Sequence, residues 1–391
     1  MEKMINILFF FIYLVAGITG HRIDSMRSKV KEDLDIEREL KLINKAPIKS
    51  IHTKFGDLVD CIDIKKQPVF DHPLLTNHKL QTKPSFENII KKTNVKNSST
   101  KAIFGIEREQ CPSGTVPIKR TTHDDLIRAK SYYSNFSELT PGTHIAQVTL
   151  VSDPDFGPYY GVEGTNSVYS VKVEKDQSST SMIWVQNGPN GDRSLIGIGW
   201  HVVPILYNDD ATHLFAVWTT GGSKKGGCYN LQCSGFVQTS KKIYLGVPLS
   251  NTSIINGRML EIKLSINQDP TTKNWWLSNE NEHIGYYPAS LFSNLPYADQ
   301  VGWGGRTTTS VGAPNPPMGS GLFPDNIFTH ACYFKNVTYR NKFGQSFGPP
   351  DVLTKAFFDE PHCYSAEYYG DEDKLVGYSL QFGGPGGECG G

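Results

Sequence analysis

Residues 259–267 read MLEIKLSIN, in which Leu260, Ile262, Leu264 and Ile266 alternate with Glu261, Lys263 and Ser265. Successive side chains of a strand point to opposite faces, so a period of two makes a ribbon with one apolar face and one wet face. Such a ribbon belongs to an antiparallel sheet covered on one side, because parallel strands are buried on both faces and read as unbroken apolar runs. The same alternation recurs in SVYSVKVEK, residues 167–175, where Tyr169, Val171 and Val173 share a face. HIAQVTLVS, SMIWVQNG, HLFAVWTT, KKIYLGVPL and HACYFKNVTYR are further short runs, with Gly, Pro, Asn and Asp between them. Many short strands without alternating helices predict a mainly β fold, an antiparallel β-sandwich of two stacked sheets.

Toward the N-terminus the pattern changes. In DSMRSKVKEDLDIERELKLINK, Met26, Val30 and Leu34 recur at helical spacing, and Pro47 stops the run. Two short strands, IKSIHT and GDLVDCIDI, follow, then a polar linker from Gln81 to Thr100. Thr122, with Asp125 three residues later, marks the start of a short helix. SNFSELTPGTH, residues 134–144, reads as an exposed boundary. The expected organisation is a signal peptide over 1–20, a small α+β domain over 21–135 and the sandwich over 136–391.

Lys3, the apolar INILFFFIYLVAGI and the small residues near Gly17–Gly20 make the first segment a cleavable secretory signal, too short for a comfortable membrane span. The expected location is therefore secreted, extracellular or cell wall, with no membrane attachment after signal cleavage. Seven cysteines suit an oxidising compartment, and an odd count leaves one unpaired. Sequons at Asn97, Asn135, Asn251 and Asn336 suit glycosylation there. A formal net charge of zero gives no electrostatic footprint for nucleic acid.

The usual chemical motifs fail in turn. GGSKKGG, residues 221–227, lacks phosphate-loop spacing, and MGSG around Ser320 lacks the spacing of a nucleophile elbow. Cys332, inside an apolar strand, reads as a buried, inert thiol. Glu282 and His283 fall in a turn. Histidines do not cluster, so neither a metal nor another cofactor is expected.

Two regions together carry a resemblance. GDLVDCIDIKKQPVFDHPLLTNHKLQ, residues 56–81, continued by CPSGTVPIKRT, resembles the activation peptide of the plant neprosin family. IWVQNG, GCYNLQCSGF, WWLS, IGYYPASLF, VGWGG, MGSGLFP and FGGPGGECGG resemble its peptidase domain. The resemblance implies a secreted glutamic endopeptidase that cleaves at proline in acid, made as a latent zymogen. It implies a sandwich with a cleft on one face, where two glutamates work together: one carboxyl keeps its proton while the other activates water. It also implies the disulfides Cys61–Cys111, Cys228–Cys233 and Cys363–Cys389, leaving Cys332 unpaired.

This chain departs from the family where the chemistry sits. Aligning Gly199–Trp200 with the strand that carries the first family glutamate places that residue at Gly197. Aligning Trp303–Gly304–Gly305 places the second at Arg306, and a nearby family glutamine falls at Met182. Glycine offers no side chain, and arginine does not give up its proton in acid. The expectation is a catalytically inactive homologue whose cleft binds a peptide or glycan, with its own activation peptide as a partner. The alternatives are an active proline-directed endopeptidase working at acid pH and a lectin-like carbohydrate binder. Met182, Trp184, Gly197, Trp200, Trp303 and Arg306 are the cleft candidates, and Trp275 and Trp276 are further platforms for a sugar.

Overall fold

The computed structural model describes residues 31, 33–88, 110–133, 141–151, 153, 156–189, 191–222 and 226–389. The signal segment, Met26, Val30, the sequons at Asn97 and Asn135 and most of the 134–144 boundary lie outside the described residues. Asn251 and Asn336 are exposed.

The N-terminal part opens with helix α1 (residues 33–43). Its buried residues are Ile36 and Ile43, with Leu40 packed beside them, whereas Leu34 is half exposed. The stripe that docks is thus one turn-set round from the one expected through Leu34. Strands β1 (Lys49–His52), β2 (Leu58–Asp63) and β3 (Thr115–Lys119) form a three-stranded antiparallel sheet. Between β2 and β3 the chain runs through three short 3-10 turns, Pro68–Asp71, Pro73–Leu75 and Ser85–Asn88. Helix α2 (His123–Tyr133) starts where expected. Thr122 N–H donates to Asp125 and Asp125 N–H donates back to Thr122, a reciprocal cap that satisfies otherwise orphaned donors.

The rest is two stacked antiparallel sheets. One contains β4 (Thr143–Val151), β6 (Ser178–Asn187), β7 (Ser194–Val202), β8 (Thr212–Thr220), β9 (Gly226–Tyr229), β14 (Gln300–Thr308) and β17 (Thr354–Phe358), in the order β17-β4-β14-β6-β7-β8-β9. The other contains β5 (Gly161–Ser167), β10 (Val237–Gln238), β11 (Glu261–Gln268), β12 (Trp275–Asn279), β13 (Glu282–Tyr287), β15 (Cys332–Arg340), β16 (Ser346–Phe347), β18 (Ser365–Asp371) and β19 (Tyr378–Gly383). Its order is β10-β13-β12-β11-β5-β15-β19-β18, with β16 on β15. The expected sandwich is therefore the observed one, and all of MLEIKLSIN but its first two residues falls in β11, with Ile262, Leu264 and Ile266 buried and Met259 and Leu260 half-buried just before the strand.

Residues 168–174, by contrast, form no strand, although Val168, Tyr169 and Val173 are buried. KKIYLGVPL likewise buries Ile243, Tyr244, Leu245 and Val247 outside any strand. Alternation reports two environments; a strand also needs a neighbour for its backbone.

The sheets are tied across the core by indoles. Trp200 on β7 donates to Asn166 and Ser167, and Trp303 on β14 donates to the Glu163 carbonyl (3.0 Å), all on β5 of the facing sheet. A Cβ at Gly164 would come within 3.2 Å of Trp303, so glycine leaves room for that ring. Buried indole N–H groups need such partners. Among the described residues no helix is long and apolar enough to cross a membrane.

Candidate functional site

Strand parity separates the two faces of the seven-stranded sheet. Ile196, Ile198, Trp200 and Val202 of β7, and Val301 and Trp303 of β14, point into the core. Their neighbours point to the outer face, part of which forms an open cleft of about 210 Å³ lined by Gln147, Met182, Trp184, Arg193, Gln300 and Arg306 among others; Gly197 is on this face but is not one of the lining residues. Register arranges this outer face in rows. One row runs Ile145, Arg306, Thr180, His201, His213 from β4 to β8. The next runs Gln147, Gly304, Met182, Gly199, Phe215, and the third Thr149, Gly302, Trp184, Gly197, Val217.

Gly197 and Arg306 therefore share a face of one sheet, with β6 between them. Met182 stands on that middle strand and in the middle row. At the usual strand spacing and rise it is on the order of 8 Å from each of the other two. The three positions singled out by sequence form one diagonal, Gly197–Met182–Arg306. A Cβ at Gly197 would meet the Met182 thioether sulfur and a Val217 methyl at 3.2 Å each, so the thioether already leans into that space.

Of the other cleft candidates, Trp184 lines the cleft but is only 4% exposed, its indole lying over Gly302. Trp200 and Trp303 sit in the core between the sheets, on the opposite face, because they fall at the other strand parity. Trp275 and Trp276 are also fully buried, so none of the five offers an open aromatic face. Glu282 and His283 do not pair with each other: Glu282 accepts from Ser240, and His283 meets Ser278. Glu163 lies on β5 in the facing sheet, in an ion pair with Lys263 at 2.6 Å.

The electrostatics of the cleft follow from its residues. Among the described residues its lining carries Arg193 and Arg306 and no carboxylate. Burial lowers the pKa of Arg306, with Tyr229 and Tyr132 acting the other way. Burial likewise lowers that of Arg193, opposed by Asp299. An arginine so perturbed still stays protonated at acid pH. Cys332 is buried, accepts from Ser167, and burial pushes its thiol up to about 12. A thiol held in that state is no nucleophile.

Sequence reasoning missed what covers part of this face. Tyr132 and Tyr133, at the end of α2, pack on an aromatic cluster of Phe215, Val217 and Tyr229, which Met182 and Leu195 adjoin. Tyr132 and Tyr229 have ring centroids 5.1 Å apart, and Tyr133 meets Tyr229 edge-on at 6.2 Å. Burial raises the pKa of the Tyr132 phenol. The one available signal was the apolar pair YY closing an otherwise polar helix.

The three implied disulfides, Cys61–Cys111, Cys228–Cys233 and Cys363–Cys389, are all formed. The Neprosin family model matches residues 175–385 and the Neprosin activation peptide model matches residues 50–155. The chain belongs to the neprosin family and carries its own activation-peptide domain. Among solved structures it is similar to scytalido-glutamic peptidase bound to a transition-state analogue inhibitor, at 12% identity and a TM-score of 0.36, over 63% of this chain and 99% of that one. It is also similar to SCP-B, a member of the eqolisin family of peptidases in complex with the tripeptide Ala-Ile-His, at 12% identity and a TM-score of 0.32, over the same shares.

Proposed function

We propose that this is a secreted, catalytically inactive neprosin-family protein whose cleft binds a peptide without cutting it. The observation that carries this reading is the diagonal Gly197–Met182–Arg306 on one sheet face, with Met182 and Arg306 lining the cleft. General acid–base hydrolysis needs one group that takes a proton from water and another that gives one to the leaving amine. A hydrogen atom, a thioether and a guanidinium do neither in acid. Among the described lining residues the ionisable side chains are Arg193 and Arg306, which supports the same reading.

A peptide is favoured over a glycan because the tryptophans that would stack on sugar rings are buried. Gln147, Gln186 and Gln300 instead offer amides suited to peptide groups. Arg306 favours a ligand with a carboxylate, which its planar fork can grip through two parallel hydrogen bonds. The apolar N-terminal run and three disulfides support secretion.

The test is a digest of a proline-containing peptide at about pH 3 with protein freed of its activation domain by an added protease, itself then removed. No cleavage is expected, and capture of acidic peptides should weaken at least fivefold in Arg306→Ala. Cleavage by the purified protein, absent from a mock preparation, would overturn the reading. The triple change Gly197→Glu, Met182→Gln, Arg306→Glu restores the family trio and relieves the contact between position 197 and the thioether.

A further inference from the structure

Beneath the activation helix, in the same row as Arg306, lies His201, a fully buried side chain that neither the binding reading nor the family chemistry uses. Its ring stacks on Phe215 with centroids 4.1 Å apart and planes within 9°. Tyr229, which carries Tyr132 on its other side, is 5.9 Å away. Nε2 of His201 is 2.7 Å from the hydroxyl of Tyr207. Tyr207 closes the short helix α3 (Pro204–Tyr207), and α3 packs on α2 through Leu206, Val203, Ala129 and Tyr132.

A chain of hydrogen bonds fixes where the protons are. Ala216 N–H donates to Asn230 Oδ1 (3.1 Å), so the Asn230 amide nitrogen faces the Tyr207 oxygen and donates to it at 2.9 Å. The phenol accepts there, so its own proton goes to His201 Nε2. His201 is therefore neutral, with its proton on Nδ1, and Nδ1 is buried with no hydrogen-bond partner among the described residues. A second proton would turn the Nε2 acceptor into a donor facing a donor and would place a charge where nothing compensates it.

The surroundings offer no relief from any side. From α3 the ring meets the neutral Tyr207, from β9 Tyr229, from β6 Thr180, and from α2 Tyr132 lies beyond Tyr229. From β14 the nearest charged neighbour in the row is the cation Arg306. From β8 the next residue is His213, whose Nε2 is bonded to Asp209 (2.9 Å) and whose ring lies 3.7 Å under Tyr207. From β3 Lys119 stands 5.7 Å over the Tyr207 ring and is paired with Asp57 at 2.7 Å. The two nearby acids, Asp209 and Asp57, are thus engaged elsewhere, with the His213 ring and with Lys119.

We propose that His201 is a proton-operated release for the activation domain: a proton on its ring breaks the Tyr207 hydrogen bond, loosens α3 and the Tyr132–Tyr229 contact, and lets α2 lift from the β8–β9 side of the sheet, beside the cleft, with no peptide bond cut. Burial, with His213 adding to it, holds the His201 ring well below the ordinary histidine range. A depressed folded value means that the neutral ring's contribution is fully present above about pH 6.5 and is lost as the pH falls below it. This inference does not depend on whether the cleft cuts or only binds.

The test uses the full-length chain at pH 7.0 and 5.0, following hydrogen exchange of residues 123–133 after correction for the intrinsic pH effect, with intact mass as a check against cleavage. Protection of α2 is expected to fall roughly tenfold at pH 5.0 at constant mass, since each pH unit below the unfolded value is worth up to tenfold. In His201→Gln, which keeps an acceptor for Tyr207 but cannot titrate in this range, protection should be the same at both pH values. An unchanged native protein, or an equal fall in His201→Gln, would overturn the proposal. Should that variant fail to fold, exchange at the His201 ring carbon of the native chain reads its titration directly: a midpoint below pH 6 supports the release, and one at about 6.5 refutes it.

Discussion

The activation domain grips the sandwich at two places built on opposite principles. Along the nine-stranded sheet, the segment that follows β2 is held by a carboxylate. Asp269 is fully buried and accepts from Ser85 N–H, the Ser85 hydroxyl (2.8 Å), the Gln81 amide (2.7 Å), Thr271 N–H (2.9 Å) and Thr272 N–H (3.0 Å). Beside it the Tyr286 hydroxyl takes Gln81 N–H (3.0 Å) and meets His78 (2.8 Å), while the Gln67 side-chain amide donates to the Gln238 carbonyl and accepts from Gln238 N–H. On the cleft face the contact is aromatic: Tyr132 and Tyr133 lie on Tyr229 and Phe215, and the Tyr133 hydroxyl reaches carbonyls only at 3.4 Å.

The difference matters most in acid. Burial works to raise the Asp269 pKa, but hydrogen bonds from Ser85, Thr272 and Gln81 outweigh it and the net shift is downward. The ionised carboxylate thus adds stability that is fully present above about pH 3.9 and is lost as the pH falls through its lower folded value. His201, neutral under the aromatic contact, begins to lose its contribution below about pH 6.5. Between those limits the cleft face loosens while the carboxylate clasp holds, so the domain should open on one side and stay tethered on the other.

The largest effect should come from breaking the clasp. Asp269→Ala leaves the Ser85, Gln81 and Thr272 donors without their acceptor and should cost about 3–5 kcal/mol of local stability. Hydrogen exchange of residues 78–88 should rise accordingly, while α2 stays protected at pH 7. Equal loss at both places would mean that the two contacts form one cooperative unit and would break the comparison.

Tyr132→Ala removes a ring from the aromatic contact and should weaken α2 docking by about 2 kcal/mol. The readout is faster exchange over 123–133 with residues 78–88 unmoved, and a shift in both segments would again tie the contacts together. The smallest effect sharpens the same contrast. Thr122→Ala removes the N-cap of α2, worth about 1 kcal/mol, without touching either interface. It should speed exchange in α2 alone, and a shift in the clasp would show that strain passes from one contact to the other.

Much of this was legible in the chain. The period-two runs of β11 and β4 encode half-buried strands, and Thr122 with Asp125 encodes the start of α2. Residues 168–174 carry the same alternation and form no strand, because a one-dimensional pattern marks which side chains avoid water but not which backbone will sit alongside. The same limit explains the tryptophans. Trp184 and Trp303 both lie in apolar aromatic runs, yet strand parity and register put one at the cleft and the other between the sheets.

The sequence by itself determined the sandwich and the family, because alternation, caps and motif spacing are local properties of a chain. Only the tertiary structure decided that Gly197, Met182 and Arg306 fall on one diagonal, since that depends on the register of three strands distant in sequence. It alone placed Tyr132 over Tyr229 and His201 under both. A histidine's protonation is set by what surrounds it in space, and here Asn230, Tyr207 and Phe215 come from three different elements that meet only when the chain is folded.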